Sequence, residues 1–364
     1  MTRFGFHASH EQIDPRRLLR DVQRAEASGF EMAMCSDHFS PWTSAQGHSG
    51  YAWSWLGAAL ATTSLSFGCV CAPGQRYHPA VVAQKIATLG VMFPGRFWVA
   101  LGSGEASNEH ITGDAWPDKE TRTRRLEECV EVIRALLTGE SVSSDGLVRV
   151  DRAKVWERAD PVPLLIAPAV SVESARRVAA WADGLVTVNQ PFDRLRDVVG
   201  AYREAGGRGT VSLQVHLSWA PTEDEALHIA HDQWAANVFG PPVSWDTATV
   251  EAFDVLADNV PPDAVRVPVR VSADLDEHRG WLAEHAALGF DDIYLHHVGQ
   301  DQADFLEAFG ERVLPTLREE TRPGEKQRVG LLWSTSVAES WLTATSRLEY
   351  RLFVWPAGEP AHRA

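Results

Sequence analysis

The feature that most constrains the fold of this chain is the alternation of short apolar runs with segments of helical periodicity. Eight runs are typical of buried strands; they span residues 4–8, 31–36, 66–72, 97–102, 163–167, 184–188, 211–219 and 291–297. Parallel strands need long crossovers, which helices supply. The pattern therefore predicts a single (β/α)8 TIM barrel with insertions, and a doubly wound parallel sheet is the alternative architecture.

The 364 residues divide unevenly under this prediction. Residues 1–322 form the barrel domain, in which residues 139–162 are expected to make a hairpin or loop. The segment from about residue 221 to residue 275 is too long for a simple connection between a strand and a helix, and it contains its own helical pattern. We expect it to be an insertion at the rim, where long segments often act as lids. Residues 323–364 form a C-terminal extension of unknown role.

Composition and charge exclude several classes of partner. The net charge of -15 disfavours nucleic acids and anionic membranes, which need a basic surface. It still allows an anionic cofactor held by backbone amides. No apolar stretch is long enough to cross a bilayer, and the first residues leave no room for a signal peptide. The four cysteines form no CxxC pair, so we expect core thiols, no metal site and a cytoplasmic protein.

Two motifs with titratable side chains each follow a predicted strand. Residues 36–42 read Ser-Asp-His-Phe-Ser-Pro-Trp, and residues 102–109 read Gly-Ser-Gly-Glu-Ala-Ser-Asn-Glu. Because strand ends form the catalytic rim of a barrel, His38 and Glu105 are expected to meet there as an acid/base pair. Alternatively, His38 is a satisfied strand-end histidine, Glu105 stabilises the next helix, and Asp37 anchors its own loop through an Asx turn.

Two adjacent histidines, His296 and His297, end the last predicted strand. One side chain of this segment is expected to face the barrel interior, because side chains alternate along a strand. Alternation points to His297 or its neighbour Val298 without deciding between them.

The motifs resemble those of the bacterial luciferase-like family of flavin and deazaflavin oxidoreductases. The similarity is closest to the F420-dependent glucose-6-phosphate dehydrogenase-like subgroup. Residues 76–80 (Arg-Tyr-His-Pro-Ala) and 93–96 (Phe-Pro-Gly-Arg) fit it as well, and the resemblance covers about residues 3–320. It implies a TIM barrel with a redox ring in its mouth.

The resemblance also implies roles for individual residues. His38 would be the base at the reactive ring carbon, and Glu105 the acid that protonates the ring nitrogen. Trp42 would shield the transition state, and Glu11 would be a further carboxylate near the substrate. The cofactor contacts that it implies are Asp37, Cys69, Val70, Cys71, Asn108, Ala169, Val170 and Ser171. Members of the family often have a non-prolyl cis peptide at the position of residues 69–71, behind the ring.

The cofactor stays open between F420 and FMN. The retained His38, Trp42 and Glu105 favour F420. The altered segments 68–73 and 167–171 resemble a sister group that is taken to use FMN.

The sugar-phosphate site of the subgroup is altered in this chain. The resemblance would place a Lys in segment 188–193 to hold the phosphate, and none is present. Segment 265–270 offers only Arg266 and Arg270 as bases. Glucose 6-phosphate is therefore not the expected substrate.

The predicted function is hydride transfer between a flavin-type cofactor and a small organic substrate. One alternative is an FMN-dependent monooxygenase supplied by a flavin reductase, and a second is a non-catalytic flavin-binding barrel. A hydrolase is disfavoured because no GxSxG motif occurs. Related barrels are commonly dimers, so a homodimer is expected, and a flavin or deazaflavin reductase is the expected protein partner.

Overall fold

Strands and helices alternate along residues 1–321, the part of the chain that this computed structural model describes. The strands in these residues are β1 (Arg3–Ala8), β2 (Met32–Ser36), β3 (Ser66–Cys71), β4 (Phe97–Leu101), β5 (Val142–Asp145), β6 (Arg149–Ala153), β7 (Leu164–Pro168), β8 (Gly184–Val188), β9 (Thr210–Ser218), β10 (Arg270–Val271) and β11 (Asp292–His297).

The helices lie between the strands, mostly on the outer face of the sheet. They are α1 (Pro15–Ala27), α2 (Ala52–Thr62), α3 (Pro79–Met92), α4 (Ala106–Glu109), α5 (Lys119–Thr138), α6 (Val172–Val178), α7 (Phe192–Glu204), α8 (Glu223–Trp234), α9 (Val243–Asp246), α10 (Val250–Ala257), α11 (Leu275–Ala287), α12 (Ala303–Ala308) and α13 (Leu314–Glu320). Short 3-10 turns span His110–Thr112, Ala235–Val238 and Pro262–Arg266, and a π-helical segment, Phe309–Val313, joins the last two helices.

Eight strands close into a parallel barrel in the order β1-β2-β3-β4-β7-β8-β9-β11. Closure is visible at Phe6, which is paired with Leu295 of the last strand and with Ala33 of the second. The predicted (β/α)8 barrel is confirmed, and the doubly wound sheet is excluded because such a sheet keeps two free edges. The short β10 pairs with the end of β9, beyond the residues of β9 that pair with β8.

Local signals explain where the first helix begins and ends. The Asp14 side chain accepts hydrogen bonds from the backbone N–H groups of Arg16 and Arg17, and Pro15 occupies the first helical position. Gly29 follows the helix with φ at +90°, a conformation that favours glycine. These two signals turn the chain back so that β2 can pair with β1.

The barrel interior is filled mainly by two large aromatic residues. Trp98 and Tyr294 lie with their ring centroids 6.0 Å apart, among smaller side chains from the neighbouring strands. Gly68 makes room for Trp98, and Gly5 makes room for Tyr294. A larger apolar core lies between the strands and the outer helices. Both layers are close-packed, so the rim above them has a fixed geometry.

Three segments depart from the simple alternation of strand and helix. Residues 139–162 contain the antiparallel β5–β6 hairpin, which agrees with the expectation of a hairpin or loop. Residues 221–275 contain α8, α9, α10 and β10, and they have a small apolar core of their own around Trp234 and Val265. The extension predicted over residues 323–364 lies outside the described residues.

We predict that Gly68→Ala destabilises the barrel. A Cβ at this position would lie 1.9 Å from the Trp98 ring, and such overpacking costs about 1–3 kcal/mol of unfolding free energy. Urea denaturation would show a lower midpoint. Gly57→Ala is the control, because nothing lies within 4 Å of the position that its methyl group would take and the residue lies inside α2. That variant is expected to unfold at an equal or higher midpoint, since alanine favours helix; equal losses for both would contradict the packing argument.

Candidate active site

Three strand ends place titratable side chains around one point of the barrel mouth. Glu11 lies in the loop after β1, His38 lies in the loop after β2, and Glu105 lies in the loop after β4. In a parallel barrel the carboxyl ends of all strands share one rim. The structure therefore brings together the histidine and two carboxylates that the sequence placed in three separate segments.

His38 lies between the two carboxylates. Its Nδ1 is 2.8 Å from Oε1 of Glu11, and its Nε2 is 3.7 Å from Oε2 of Glu105. Burial lowers the pKa of His38, but the charge and contact of Glu11 and the charge of Glu105 outweigh burial and raise that pKa to about 9. Burial raises the pKa of Glu11, yet the charge of His38 brings it to about 2. His38 is thus an imidazolium at neutral pH.

Glu105 differs from Glu11 in its surroundings. A quarter of its side chain is exposed, and partial burial raises its pKa from the ordinary value. Asn108 Nδ2 donates to Glu105 Oε2 at 3.3 Å, while Asn108 Oδ1 accepts from the backbone N–H groups of Phe39 and Ser40. Asn108, predicted as a cofactor contact, therefore also ties the His38 loop to Glu105. The helix after Glu105 has only four residues, and the Glu105 side chain forms no capping hydrogen bond.

Asp37 is buried beside the same site. Its Oδ2 accepts from Trp53 Nε1 at 2.7 Å, and its Oδ1 accepts from the Tyr77 hydroxyl at 3.4 Å. Arg76 donates to the Asp37 backbone carbonyl and lies 3.8 Å from Oδ2. The Asp37 carboxylate is thus oriented by residues of α2 and of the β3–α3 loop, and not by an Asx turn in its own loop.

Arg76 and Glu109 are site residues that the sequence analysis missed. The backbone N–H of Arg76 donates to Glu109 Oε2 at 2.6 Å, and Arg76 Nε is 3.5 Å from Oε1. Burial raises the pKa of Glu109, and the guanidinium opposes that rise. Both residues lie in motifs that carry the family resemblance, so the signal was present, but their contact joins segments that are distant in sequence.

Trp42 packs against His38 and against the insertion. Its ring meets His38 edge to face at 5.5 Å and Phe253 of α10 at 5.3 Å. Ser44, two residues further on, donates to both carboxylate oxygens of Asp254. The insertion therefore covers the His38 loop, at the rim where the sequence placed it.

A cavity of about 410 Å³ lies beside His38 and Glu105. Of the predicted cofactor contacts, it is lined by Asp37, Val70, Cys71, Asn108, Ala169 and Val170. Gly102, Ser103 and Gly104 form a wall with little side-chain bulk. A Cβ on Gly104 would lie 3.0 Å from Glu109, and its φ of +84° also favours glycine. The backbone is therefore open to close approach along this wall.

Two predicted cofactor contacts, Cys69 and Ser171, are not among the residues that line this cavity. Cys69 packs with Cys35 in the core between strands and helices, because its side chain alternates away from the barrel interior. The Ser171 hydroxyl accepts from the Ser174 backbone N–H and caps α6. In residues 1–321 the cis peptide bonds are those before Pro161 and Pro242, so the non-prolyl cis peptide expected at residues 69–71 is not formed.

Histidine side chains line the interior of the barrel below the site. The ring of His296, and not that of His297, faces inward: it stacks on His7 at 4.2 Å and lies 5.2 Å from His216. His297 instead stacks on Phe305 on the helix side. Burial lowers the pKa of His7 to about 4 and that of His216 to about 3. These imidazoles are uncharged at neutral pH, so the floor of the mouth is polar and neutral.

The remaining predictions concern thiols, metals and membranes. The four cysteines are free and buried, and one of them, Cys71, also lines the cavity. In residues 1–321 no group of three or more His, Cys, Asp or Glu side chains could hold a metal ion. None of the helices in that part of the chain is long and apolar enough to span a bilayer.

Known sequences and a family model match most of the length of this chain. A family model described as luciferase-like monooxygenase matches residues 1–292. An F420-dependent glucose-6-phosphate dehydrogenase of Beutenbergia cavernae is 36% identical over 336 residues, which cover 88% of this chain and 99% of that protein.

Solved structures of other proteins share the barrel, and two of them illustrate the range of similarity. An F420-dependent secondary alcohol dehydrogenase in complex with an F420–acetone adduct has a TM-score of 0.80 at 28% identity, covering 88% of this chain and 99% of the other. A riboflavin lyase with modified FMN and riboflavin has a TM-score of 0.68 at 18% identity, covering 88% and 92%, and shows likeness of fold alone.

We predict that Glu11→Gln lowers the pKa of His38. The variant removes the nearest negative charge while burial persists, so the pKa falls from about 9 towards or below its ordinary value. NMR titration of the His38 ring would measure the change. Glu105→Gln is the comparison: its carboxylate is 3.7 Å away, so its removal has the smaller effect. An unchanged His38 pKa in Glu11→Gln would contradict the assignment of the ion pair.

Proposed function

The chain belongs to the luciferase-like monooxygenase family and is a flavin- or F420-dependent oxidoreductase; from that premise, we propose that its cofactor is F420. We propose further that it moves a hydride between F420 and a small, uncharged alcohol or carbonyl compound. The observation that carries this proposal is His38, held between Glu11 and Glu105 beside the cavity.

The relatives and the motif support F420 over FMN. Both the 36% identical dehydrogenase and the alcohol dehydrogenase of TM-score 0.80 are named as F420-dependent. The family resemblance associates F420 with His38, Trp42 and Glu105, and these three residues lie together in the structure.

The size and lining of the cavity support the proposal of a flat cofactor ring. Its volume of about 410 Å³ lies in the range of small-molecule sites. The wall of residues 102–104 allows close approach to the backbone, and Val70 and Pro168 supply apolar surface. Asp37, Asn108 and the backbone at Ala169 would contact the cofactor.

Bound F420 would supply hydride chemistry at a ring carbon, and the chain's own residues would move the protons. Below about pH 9, both ring nitrogens of His38 carry a proton and the side chain is cationic. In that state it donates a proton to a carbonyl oxygen, which assists reduction. Neutral His38 can act as the base that the resemblance implies, and this form would assist alcohol oxidation. Glu11 stays ionised and holds the imidazole in place.

Glu105 and Trp42 complete the proposed machinery. Burial raises the pKa of Glu105, which favours the role of ring acid that the resemblance implies, and Asn108 orients its carboxyl group. Trp42 places an aromatic ring next to His38, where it excludes water and stabilises positive charge that develops on the substrate.

The charges around the mouth support an uncharged substrate. Arg266 is paired with Glu223 at 2.8 Å and with Asp263 at 3.5 Å. Arg270 stacks between Phe192 and Trp281, at 5.6 Å from each ring. The Arg266 guanidinium is thus engaged by two carboxylates, whereas Arg270 Nε is buried and has no hydrogen-bond partner in residues 1–321. The Lys that would hold the sugar phosphate in the resembled subgroup is absent from residues 188–193, and the imidazoles below the site are neutral. Glucose 6-phosphate, which names the relative, is therefore not the substrate that we propose.

The quaternary structure and redox partner remain part of this proposal. A homodimer is expected from related barrels, and a reductase that supplies reduced cofactor would be the partner of the carbonyl-reducing direction. A cytoplasmic location agrees with both. An FMN monooxygenase and a non-catalytic flavin-binding barrel are the competing functions, and the following experiment separates all three.

We predict that the purified protein binds F420 and not FMN, as followed by tryptophan fluorescence. It should then interconvert short secondary alcohols and ketones, but not glucose 6-phosphate. His38→Gln and Glu105→Gln should bind F420 normally and lose about 10²–10⁴-fold in turnover, because they remove proton transfer. His228→Gln, an exposed histidine of α8, is the control. Binding of FMN alone would favour the monooxygenase, and F420 binding without turnover of any substrate would favour the non-catalytic barrel.

We predict that kcat depends on pH in opposite ways for the two directions of the reaction. Carbonyl reduction needs protonated His38, so kcat should fall as pH rises through about 9, whereas alcohol oxidation should rise through the same region. Steady-state rates with reduced and oxidised F420 measure both limbs. In Glu11→Gln both limbs should move to lower pH, because the His38 pKa falls. Limbs that do not move in this variant would show that another group titrates.

A further inference from the structure

Three buried glutamine side chains lie where the insertion meets the rim of the barrel. Gln12 follows β1, Gln46 lies in the loop that carries Trp42, and Gln233 lies in the last turn of α8. Their exposed fractions are 1%, 0% and 5%. Each amide can donate and accept at the same time, so three of them can connect several loops without adding charge.

Gln46 connects the Trp42 loop to the insertion. Its Oε1 accepts from the backbone N–H of Trp42 at 2.9 Å, and its Nε2 donates to the backbone carbonyl of Gln233 at 2.9 Å. The first backbone group can only donate and the second can only accept, so they fix the orientation of the Gln46 amide. One side chain therefore ties the backbone of Trp42 to the end of α8.

Gln233 makes a second connection to the same loop. Its Nε2 donates to the Ala45 carbonyl at 3.1 Å, and its Oε1 accepts from Gln12 Nε2 at 3.1 Å. Gln12 Nε2 also donates to the carbonyl of Val298, in the loop after β11. The side chain of Gln233 thus joins the Trp42 loop to the loop after β1.

His296 continues this series of hydrogen bonds into the barrel. Because Gln12 Nε2 faces two acceptors, its Oε1 is the atom that lies 2.8 Å from His296 Nε2, so this ring nitrogen carries the proton. The other ring nitrogen, Nδ1, accepts from Gln214 Nε2 at 3.1 Å. His296 is therefore held neutral, in agreement with burial, which lowers its pKa. The series is uncharged from the Trp42 loop to the barrel interior.

We propose that Gln46 and Gln233 are positioning residues that hold Trp42 beside His38. The inference rests on the proposed function, in which the Trp42 ring excludes water and stabilises positive charge on the substrate. That ring meets His38 edge to face at 5.5 Å, a contact that depends on where the backbone of its loop lies. An aromatic face stabilises positive charge only within about 6 Å. A loop that moves away from the rim therefore loses this effect.

Neutral amides suit this position because the site depends on a balance of charges. Glu11 and Glu105 together raise the pKa of His38. A charged side chain at residue 12, next to Glu11 in the chain, would act on the same ion pair. Glutamines hold the loops together and leave the charge of His38 to its two carboxylates.

The first test measures amide hydrogen exchange of residues 41–47 in the protein without cofactor. Gln46→Met and Gln233→Met each remove hydrogen bonds to the Trp42 loop, because methionine has a similar length and no amide group. Exchange in this segment should become about tenfold faster, the expected effect of one or two lost hydrogen bonds. If the wholly buried Gln46→Met fails to fold, Gln233→Met decides.

Gln302→Met is the matched control. Gln302 is a glutamine of the same rim with an exposed fraction of 2%. Its Nε2 donates to the carbonyls of His297 and Gly299 in its own segment of chain, at 3.1 Å and 2.5 Å. The control therefore loses a comparable number of buried hydrogen bonds, and exchange of residues 41–47 should stay unchanged.

The second test measures kcat/KM for reduction of a short ketone by reduced F420 in a double-mutant cycle. Gln233→Met alone should lower kcat/KM about tenfold and leave the Kd of F420 unchanged. In the Trp42→Ala background the same substitution should cause almost no further loss, because Gln233 acts through Trp42. A merely structural role would give the same loss in both backgrounds, as we expect for Gln302→Met.

Two outcomes would overturn the inference and leave the proposed function standing. One is unchanged exchange of residues 41–47 in the folded glutamine variants. The other is a loss of kcat/KM in Gln233→Met that is equally large with and without the Trp42 ring. Absence of any F420-dependent turnover in the unmodified chain would instead overturn the proposed function and, with it, this inference.

Discussion

The ion pair between His38 and Glu11 is the interaction on which the chemistry of this site depends. The ion pair joins the loops after β1 and β2, and these two strands pair with each other in the barrel. The charge state of the site therefore depends on how the barrel positions these two loops. Removing one partner of a buried pair leaves an uncompensated charge, which is costly. The packed interior around Trp98 and Tyr294 holds the strands below the pair in a fixed arrangement, which limits how far its two loops can separate.

A second set of charges lies behind this pair. Arg76 is nearly buried between the carboxylates of Asp37 and Glu109, so two negative groups are separated by one guanidinium. Behind it the Lys85 ammonium lies 3.3 Å from the centre of the Tyr77 ring, whose hydroxyl donates to Asp37. Two positive groups thus lie near Asp37, and one of them, Arg76, also lines the cavity. The guanidinium offsets the two carboxylate charges and allows both acids to remain buried at the site.

The sequence predicts the barrel and the meeting of His38 with Glu105, because strand periodicity and the common rim of parallel strands are enough for both. The sequence does not predict which residues of a strand face the barrel interior. Alternation shows that neighbouring side chains point to opposite faces of the sheet, but it does not show which face is the interior. For this reason the inward-facing histidine is His296, although alternation had pointed to His297 or Val298. The contact of Arg76 with Glu109 depends on how loops from β3 and β4 meet, and no local pattern encodes that.

The insertion contacts the rim of the barrel at two separate points. Phe253 packs on Trp42 next to His38, while Asp246, in the preceding helix, binds Arg122 near the start of α5. Both contacts come from one short stretch that is tied to the His38 loop through Asp254. A movement of this stretch would therefore change the contact at Trp42 and the contact at Arg122 together. On the proposed function, the same segment would border both the substrate side and the cofactor side of the mouth.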